Sequence, residues 1–246
     1  MDIAQTLPSS LINKTVVIFG GTSGIGLAAA VQAKAVGAKV IVIGSNAARA
    51  EQAAIEHGLH GWRAADVTDS KAIEAALANI PQVDHLVLLA GTFVAGTVLE
   101  ADIDYLQRAF HERIWASIHA IRVLGDRLAK DGSITFISGS LADRPNAYGT
   151  AVLGAASAAM EALARGLALE LAPVRVNTLS PGPINTPILG KALGEGRDAF
   201  VASLEQVLPL HRLGTAEEAG AAAVFLMSNT FMNGAVLNID GGARLV

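Results

Sequence analysis

No cysteine occurs among the 246 residues, which excludes a disulfide framework, a thiol nucleophile and a cysteine-ligated metal. Aromatic residues are scarce at 4% and charged ones reach only 16%, against 52% hydrophobic residues and 25 glycines. Disordered chains show the opposite balance, whereas this one suits a sheet buried on both faces under alanine-rich helices. With 18 Lys and Arg against 22 Asp and Glu, the net charge is -4 and no basic cluster forms, so nucleic acid is excluded as a partner. No unbroken apolar run reaches the length of a membrane span, and Met1–Pro8 has neither the basic nor the apolar region of a secretory leader. A cytoplasmic location without membrane contact is expected. His85, His111 and His119 lack the company of other ligands, so no metal site is expected.

Strand-like runs alternate with helix-length segments along the whole chain. Thr15–Phe19 precedes a helix through Leu27–Val31, Lys39–Ile43 precedes Ala47–His57, and Gly61–Ala64 precedes Asp69–Asn79. His85–Leu89 precedes a long helix over Ala101–Lys130, then Ser133–Ile137 and a helix over Ala151–Leu171. Val174–Leu179, a helix over Ala216–Met227 and Ala235–Ile239 complete the series. This rhythm predicts an α/β fold with a doubly wound parallel sheet (a Rossmann fold), of about seven strands with helices on both faces. No composition shift or repeat marks a linker, so residues 1–246 read as a single domain. The stretch from Pro181 to Leu210 holds four prolines, and about 183–210 reads as a mobile substrate cover.

The first strand runs into Gly20-Gly21-Thr22-Ser23-Gly24-Ile25-Gly26, which opens a helix. Glycines let the backbone turn sharply and approach a pyrophosphate, while the free N–H groups of the first helical turn favour an anion. A ligand in such a sheet lies at the carboxyl ends of the strands, so the loops after each strand are the candidates.

In order along the chain, the glycine loop, Asp66-Val67, Ala90-Gly91, Arg175-Val176-Asn177, Pro181-Gly182-Pro183-Ile184-Asn185-Thr186 and Ile239-Asp240-Gly241-Gly242 resemble the landmarks of the short-chain dehydrogenase/reductase family. The resemblance covers essentially the whole chain. It implies a nicotinamide cofactor held by Gly20, Thr22, Ser23, Gly24, Ile25 and Gly26, with Asp66 and Val67 facing the adenine. It further implies that Ala90 and Gly91 line the cofactor, and that Pro181, Gly182, Ile184 and Thr186 form the nicotinamide segment. A homotetramer or homodimer and a small-molecule substrate follow from the same likeness.

The end of the second strand decides between NAD and NADP, because an acid there takes ribose hydroxyls and repels a 2′-phosphate. Gly44-Ser45-Asn46 carries none; Ser45 and Asn46 donate hydrogen bonds, and Arg49 follows within a turn. NADP is preferred, although Ser23 stands where a basic residue would strengthen that choice.

The catalytic pattern departs from the family. A Tyr is expected thirteen residues after the Ser and a Lys four further on, but Ser140 leads to Leu153 and Ser157. Counting back thirteen from Glu170 gives Ser157 again. The family's Asn on the long helix falls at or beside Arg113, on the stripe of Leu106, Phe110, Ile114, Ser117 and Ile121. Ser140, Tyr148 and Arg113 are therefore the candidate catalytic residues. A phenol without a neighbouring cation stays protonated at neutral pH, so Tyr148 suits proton donation better than abstraction. An NAD(P)H-dependent oxidoreductase, more a carbonyl reductase than an alcohol oxidase, is expected. The alternative is a dinucleotide-binding sensor, scaffold or partner subunit without turnover.

Overall fold

A computed structural model describes residues 11–246, so the reading of Met1–Pro8 lies outside the described residues. Strands β1 (Thr15–Phe19), β2 (Lys39–Gly44), β3 (Gly61–Ala64), β4 (Val83–Leu88), β5 (Leu128–Ile137) and β6 (Arg175–Pro181) are followed by a short pair, β7 (Ile184–Asn185) and β8 (Gly214–Thr215), and by β9 (Val236–Ile239). The main sheet has the order β3-β2-β1-β4-β5-β6-β9 and is parallel throughout. This is the doubly wound sheet expected from the alternation. Every residue of β4 is buried, as a central strand covered on both faces requires.

Two apolar layers enclose the sheet. One joins β1 and β2 to α1 (Gly24–Ala35), α2 (Ala47–Glu56) and the late helix over Ala216–Ser228, through Ala29, Ala30, Ala33, Ala223 and Leu226. The other joins β4 and β5 to α3 (Ser70–Leu77), the helix over Ala116–Leu124 and the helix over Ala151–Glu170. Small residues permit close approach: a side chain at Gly220 would meet the backbone of Ala28 and Ala29 at 2.8 Å. Helix starts are capped where the sequence offers an acceptor, by Asn46, Asp69, Asp102 and Thr215.

The segment expected as one helix over Ala101–Lys130 is broken. It comprises α4 (Ile103–Phe110), a π-turn at His111–Trp115, α5 (Ala116–Leu124) and a 3₁₀ turn at Gly125–Arg127; Leu128 already belongs to β5. The wider turn shifts the phase of the helix. Leu106, Ser117 and Ile121 are buried as expected, but Phe110 and Ile114 are only half-buried, and Glu112 takes an inward place that simple periodicity did not give it. The stretch read as irregular carries α7 (Pro187–Leu193) and α8 (Arg197–Val207), because its prolines stand at element ends: Pro187 opens α7 and Pro209 follows α8. The remaining helices are α6 (Ala151–Glu170) and α9 (Ala216–Ser228). Among the described residues, α6 alone is long and apolar enough to cross a membrane by length and composition; here it packs on β6 and α4.

The amino end of the sheet is tied by charge. Lys14 bridges Asp84 and Asp131, each at 3.0 Å. His85 shares a 2.8 Å hydrogen bond with Ser133, and burial, aided by Arg175, pushes its pKa down to about 4.

Candidate functional site

Sheet order reverses at β1, between β2 and β4, and the crevice at a reversal is where ligands bind in such sheets. Three chain segments converge there. Gly20 takes a left-handed conformation (φ +77°), and a side chain on it would sit 2.9 Å from the Ala90 nitrogen. A Cβ at Gly26 would run into the Gly20 carbonyl, so the loop folds back on itself through backbone contact alone. Thr186 lies against Gly24, where an added Cβ would stand 3.3 Å from the threonine Cβ. Glycine loop, Ala90-Gly91 and the Pro181–Thr186 segment are thus neighbours.

The first turn of α1 has no side-chain cap. Ser23 is its extended N-cap and accepts from Leu27 through its carbonyl only, at 3.2 Å. The amides of Gly24, Ile25 and Gly26 face no capping side chain, which leaves the positive helix end for an anion. The Thr22 side chain approaches Gly44, where a Cβ would come within 2.6 Å of its methyl group. Ser45 is exposed, while the side-chain Oδ1 of Asn46 accepts from Arg49 N at 2.9 Å as the cap of α2, leaving its side-chain NH₂ available.

Asp66 begins an Asx turn. One carboxylate oxygen accepts from the Thr68 amide (2.9 Å) and hydroxyl (2.8 Å), and those bonds hold its pKa below the ordinary value. Its other oxygen has no partner among the described residues. Val67 is half-buried against the α3–α5 layer. Gly182 donates to Ile239 O at 3.0 Å, which ties Pro181-Gly182 to β9, and Ile184 is buried against Gly214 in the β7–β8 pair.

Around the candidate catalytic residues the picture differs. Ser140 opens a 3₁₀ turn, Ser140–Ala142, and its carbonyl accepts from Arg144 N at 2.8 Å. Tyr148 is 76% exposed on the following loop, whose backbone is held by Asn146, and its hydroxyl has no partner among the described residues. Leu153 is buried with Val94, Leu106, Ala109 and Ala156, and Ser157 is buried one turn along α6. Arg113 donates to Thr92 O at 2.9 Å and its guanidinium covers Gly91, where an added Cβ would be 3.0 Å from Cζ. Burial pushes its pKa below the ordinary arginine value.

Two supporting residues escaped the sequence reading. Glu112 accepts from the Thr92 amide (2.6 Å) and hydroxyl (2.8 Å) and pairs with Arg108 at 2.7 Å, so it fixes the loop that continues from Gly91. Glu161 accepts from Ser138 at 2.7 Å beneath the Ser140 turn. The only sequence signal for Glu112 was a carboxylate four residues after Arg108; its inward direction depends on the π-turn.

Comparison with known proteins agrees with this geometry. The model of the family described as enoyl-(acyl carrier protein) reductase matches residues 20–244. A short-chain dehydrogenase/reductase, ATR9 of Stachybotrys chlorohalonatus, is 33% identical over 94% of this chain and 97% of its own. The crystal structure of a small-chain dehydrogenase in complex with NADPH superposes with a TM-score of 0.80 at 31% identity, covering 95% of this chain and all of that one. L-sorbose reductase from Gluconobacter frateurii, complexed with NADPH and L-sorbose, gives 0.88 at 26% identity over 98% and 100%. Sheet order, converging glycine loop and near-complete coverage lead to one assignment: the chain belongs to the short-chain dehydrogenase/reductase family.

Proposed function

We propose that the protein is an NAD(P)H-dependent oxidoreductase that reduces a small carbonyl compound at an altered active site, with NADP(H) preferred. The observation that carries this reading is the uncapped first turn of α1, set between Ala90 and Thr186. Gly24, Ile25 and Gly26 would hold the diphosphate, Ser45 and Asn46 a 2′-phosphate, Asp66 and Val67 the adenine, and Pro181, Gly182, Ile184 and Thr186 the nicotinamide end. The NADPH complexes of two relatives in the same fold support the choice of nucleotide. A bound nicotinamide supplies the hydride; the protein's own task is to orient the substrate and handle one proton.

Ser140 would hydrogen-bond the substrate oxygen and Tyr148 would donate the proton from the rim. With Leu153 and Ser157 where the family places Tyr and Lys, general acid catalysis is weakened by on the order of 10²–10⁴ in rate, and oxidation, which needs a base, suffers more. The burial of those two residues also favours the second reading, a dinucleotide-binding sensor, scaffold or partner subunit. Assembly as a homodimer or homotetramer in the cytoplasm accompanies either reading, supported by exposed Trp115 on the π-turn and Leu169 on α6. Light scattering that finds only monomer removes the assembly.

Fluorescence titration with NADPH and, separately, NADH tests the proposal. Binding of NADPH, followed by carbonyl-dependent loss of its absorbance, is the expected result. Binding without turnover across a carbonyl panel selects the second reading, and no binding of either nucleotide ends both.

A further inference from the structure

Burial weighs on the guanidinium groups of both Arg175 and Arg113, and their surroundings are unlike. Arg175 donates to the carbonyls of Leu226 (2.9 Å), Met227 (2.8 Å) and Met232 (3.3 Å), at and just beyond the negative end of α9. That nest accounts for its charge. Arg113 has only Thr92 O at 2.9 Å and, weakly, Ala109 O at 3.4 Å. Among the described residues Arg113 forms no ion pair. Its neighbour Glu112 has both oxygens engaged, by Arg108 and Thr92.

A guanidinium has five N–H donors and stays protonated, so three donors of Arg113 lack a partner among the described residues. Its Nε has no partner among the described residues and is not wholly shut off from solvent. The group lies on Gly91, at the edge of the crevice. A half-desolvated cation there is best satisfied by a planar anion that takes two parallel N–H bonds. The diphosphate of a nucleotide already has the α1 amides, and ribose hydroxyls carry no charge.

We infer that Arg113 is the receptor for a carboxylate on the substrate, so the site takes an anionic carbonyl compound in preference to a neutral one. The inference rests on the crevice being the cofactor and substrate site. Arg113 thereby sets specificity and does not itself move a proton.

The test uses the full chain, saturated with NADPH, titrated with acetate and with acetamide as the neutral isostere. Acetate is expected to shift the Arg113 Nε–H resonance and raise the melting temperature, and acetamide to do neither. Arg113→Gln should weaken acetate binding by about tenfold or more, the size of a lost charge-assisted hydrogen bond, and by clearly more than it weakens NADPH binding. An unmoved Nε–H signal in the wild-type protein, equal acetate binding by the variant, or a variant that loses NADPH instead, each overturns the inference. If the variant does not fold, the wild-type resonance titration decides alone. Should the wild-type protein bind no NADPH, the proposed function fails, and the same acetate titration of the free protein still decides the role of Arg113.

Discussion

The turn between β1 and α1 and the first two turns of α6 belong to one fold, and they are built in opposite ways. At the first, backbone amides are left uncapped and three glycines keep the walls bare of side chains. At the second, Leu153 and Ser157 fill the inward face, and an apolar cluster closes around the leucine. Holding a dinucleotide needs mostly backbone and space, whereas moving a proton needs particular side chains in particular places. The two tasks therefore rest on separate parts of this fold.

The sharpest way to break the contrast is Gly26→Ala, whose methyl group collides with the Gly20 carbonyl. NADPH binding should fall by more than about 100-fold, because rigid backbone has to move, and a fluorescence titration reads it. Next comes a change remote from both regions. His85 has a folded-state pKa of about 4 against an ordinary 6.5, so between those values the unfolded chain binds the proton that the folded chain refuses. Stability is then whole above pH 6.5 and declines as pH falls toward 4, by about 3 kcal/mol, as urea midpoints along that range would show. Equal midpoints at both ends would remove His85 as the acid-sensitive group.

A Leu153→Tyr/Ser157→Lys variant, which puts a Tyr and a Lys where we propose the family's pair to fall, tests the other side of the comparison. Reduction should gain on the order of 10² in kcat while nucleotide affinity stays within about twofold. A variant that folds, binds NADPH and shows no gain would remove Leu153 and Ser157 as the places of the pair. The smallest effect is expected at the rim of the nucleotide site. Ser45→Asp places a negative charge where a 2′-phosphate would lie and should cut NADPH affinity about tenfold, with NADH unaffected. Parallel titrations check it, and loss of both nucleotides alike would place the phosphate elsewhere.

Strand β1, the glycine loop and the helix after it were legible because their signals are local: a β-branched run, then glycines, then alanines. All seven strands of the main sheet follow from the same alternation. The π-turn was not legible, since one extra residue in a turn leaves composition unchanged while rotating every side chain beyond it. Glu112 and its hold on Thr92 were lost with it. Prolines near residues 183–210 suggested irregular chain, but a proline at the first turn of a helix, like Pro187, starts one. The approach of Arg113 to Gly91 arises from contacts between distant segments, which no window along the chain contains.

The close seating of α9 on α1, allowed by Gly220, has a consequence for how the molecule is made. Helix α1 is made well before the surface that buries its alanine face, which comes from Ala216–Ser228, some 190 residues further on. Contacts so distant in sequence form late, after the loop-closure entropy of almost the whole chain has been met. Pulse-labelled hydrogen exchange should therefore find the amides of α1 gaining protection together with those of α9. The glycine loop, made long before α9, is thus among the last parts of the protein to become native.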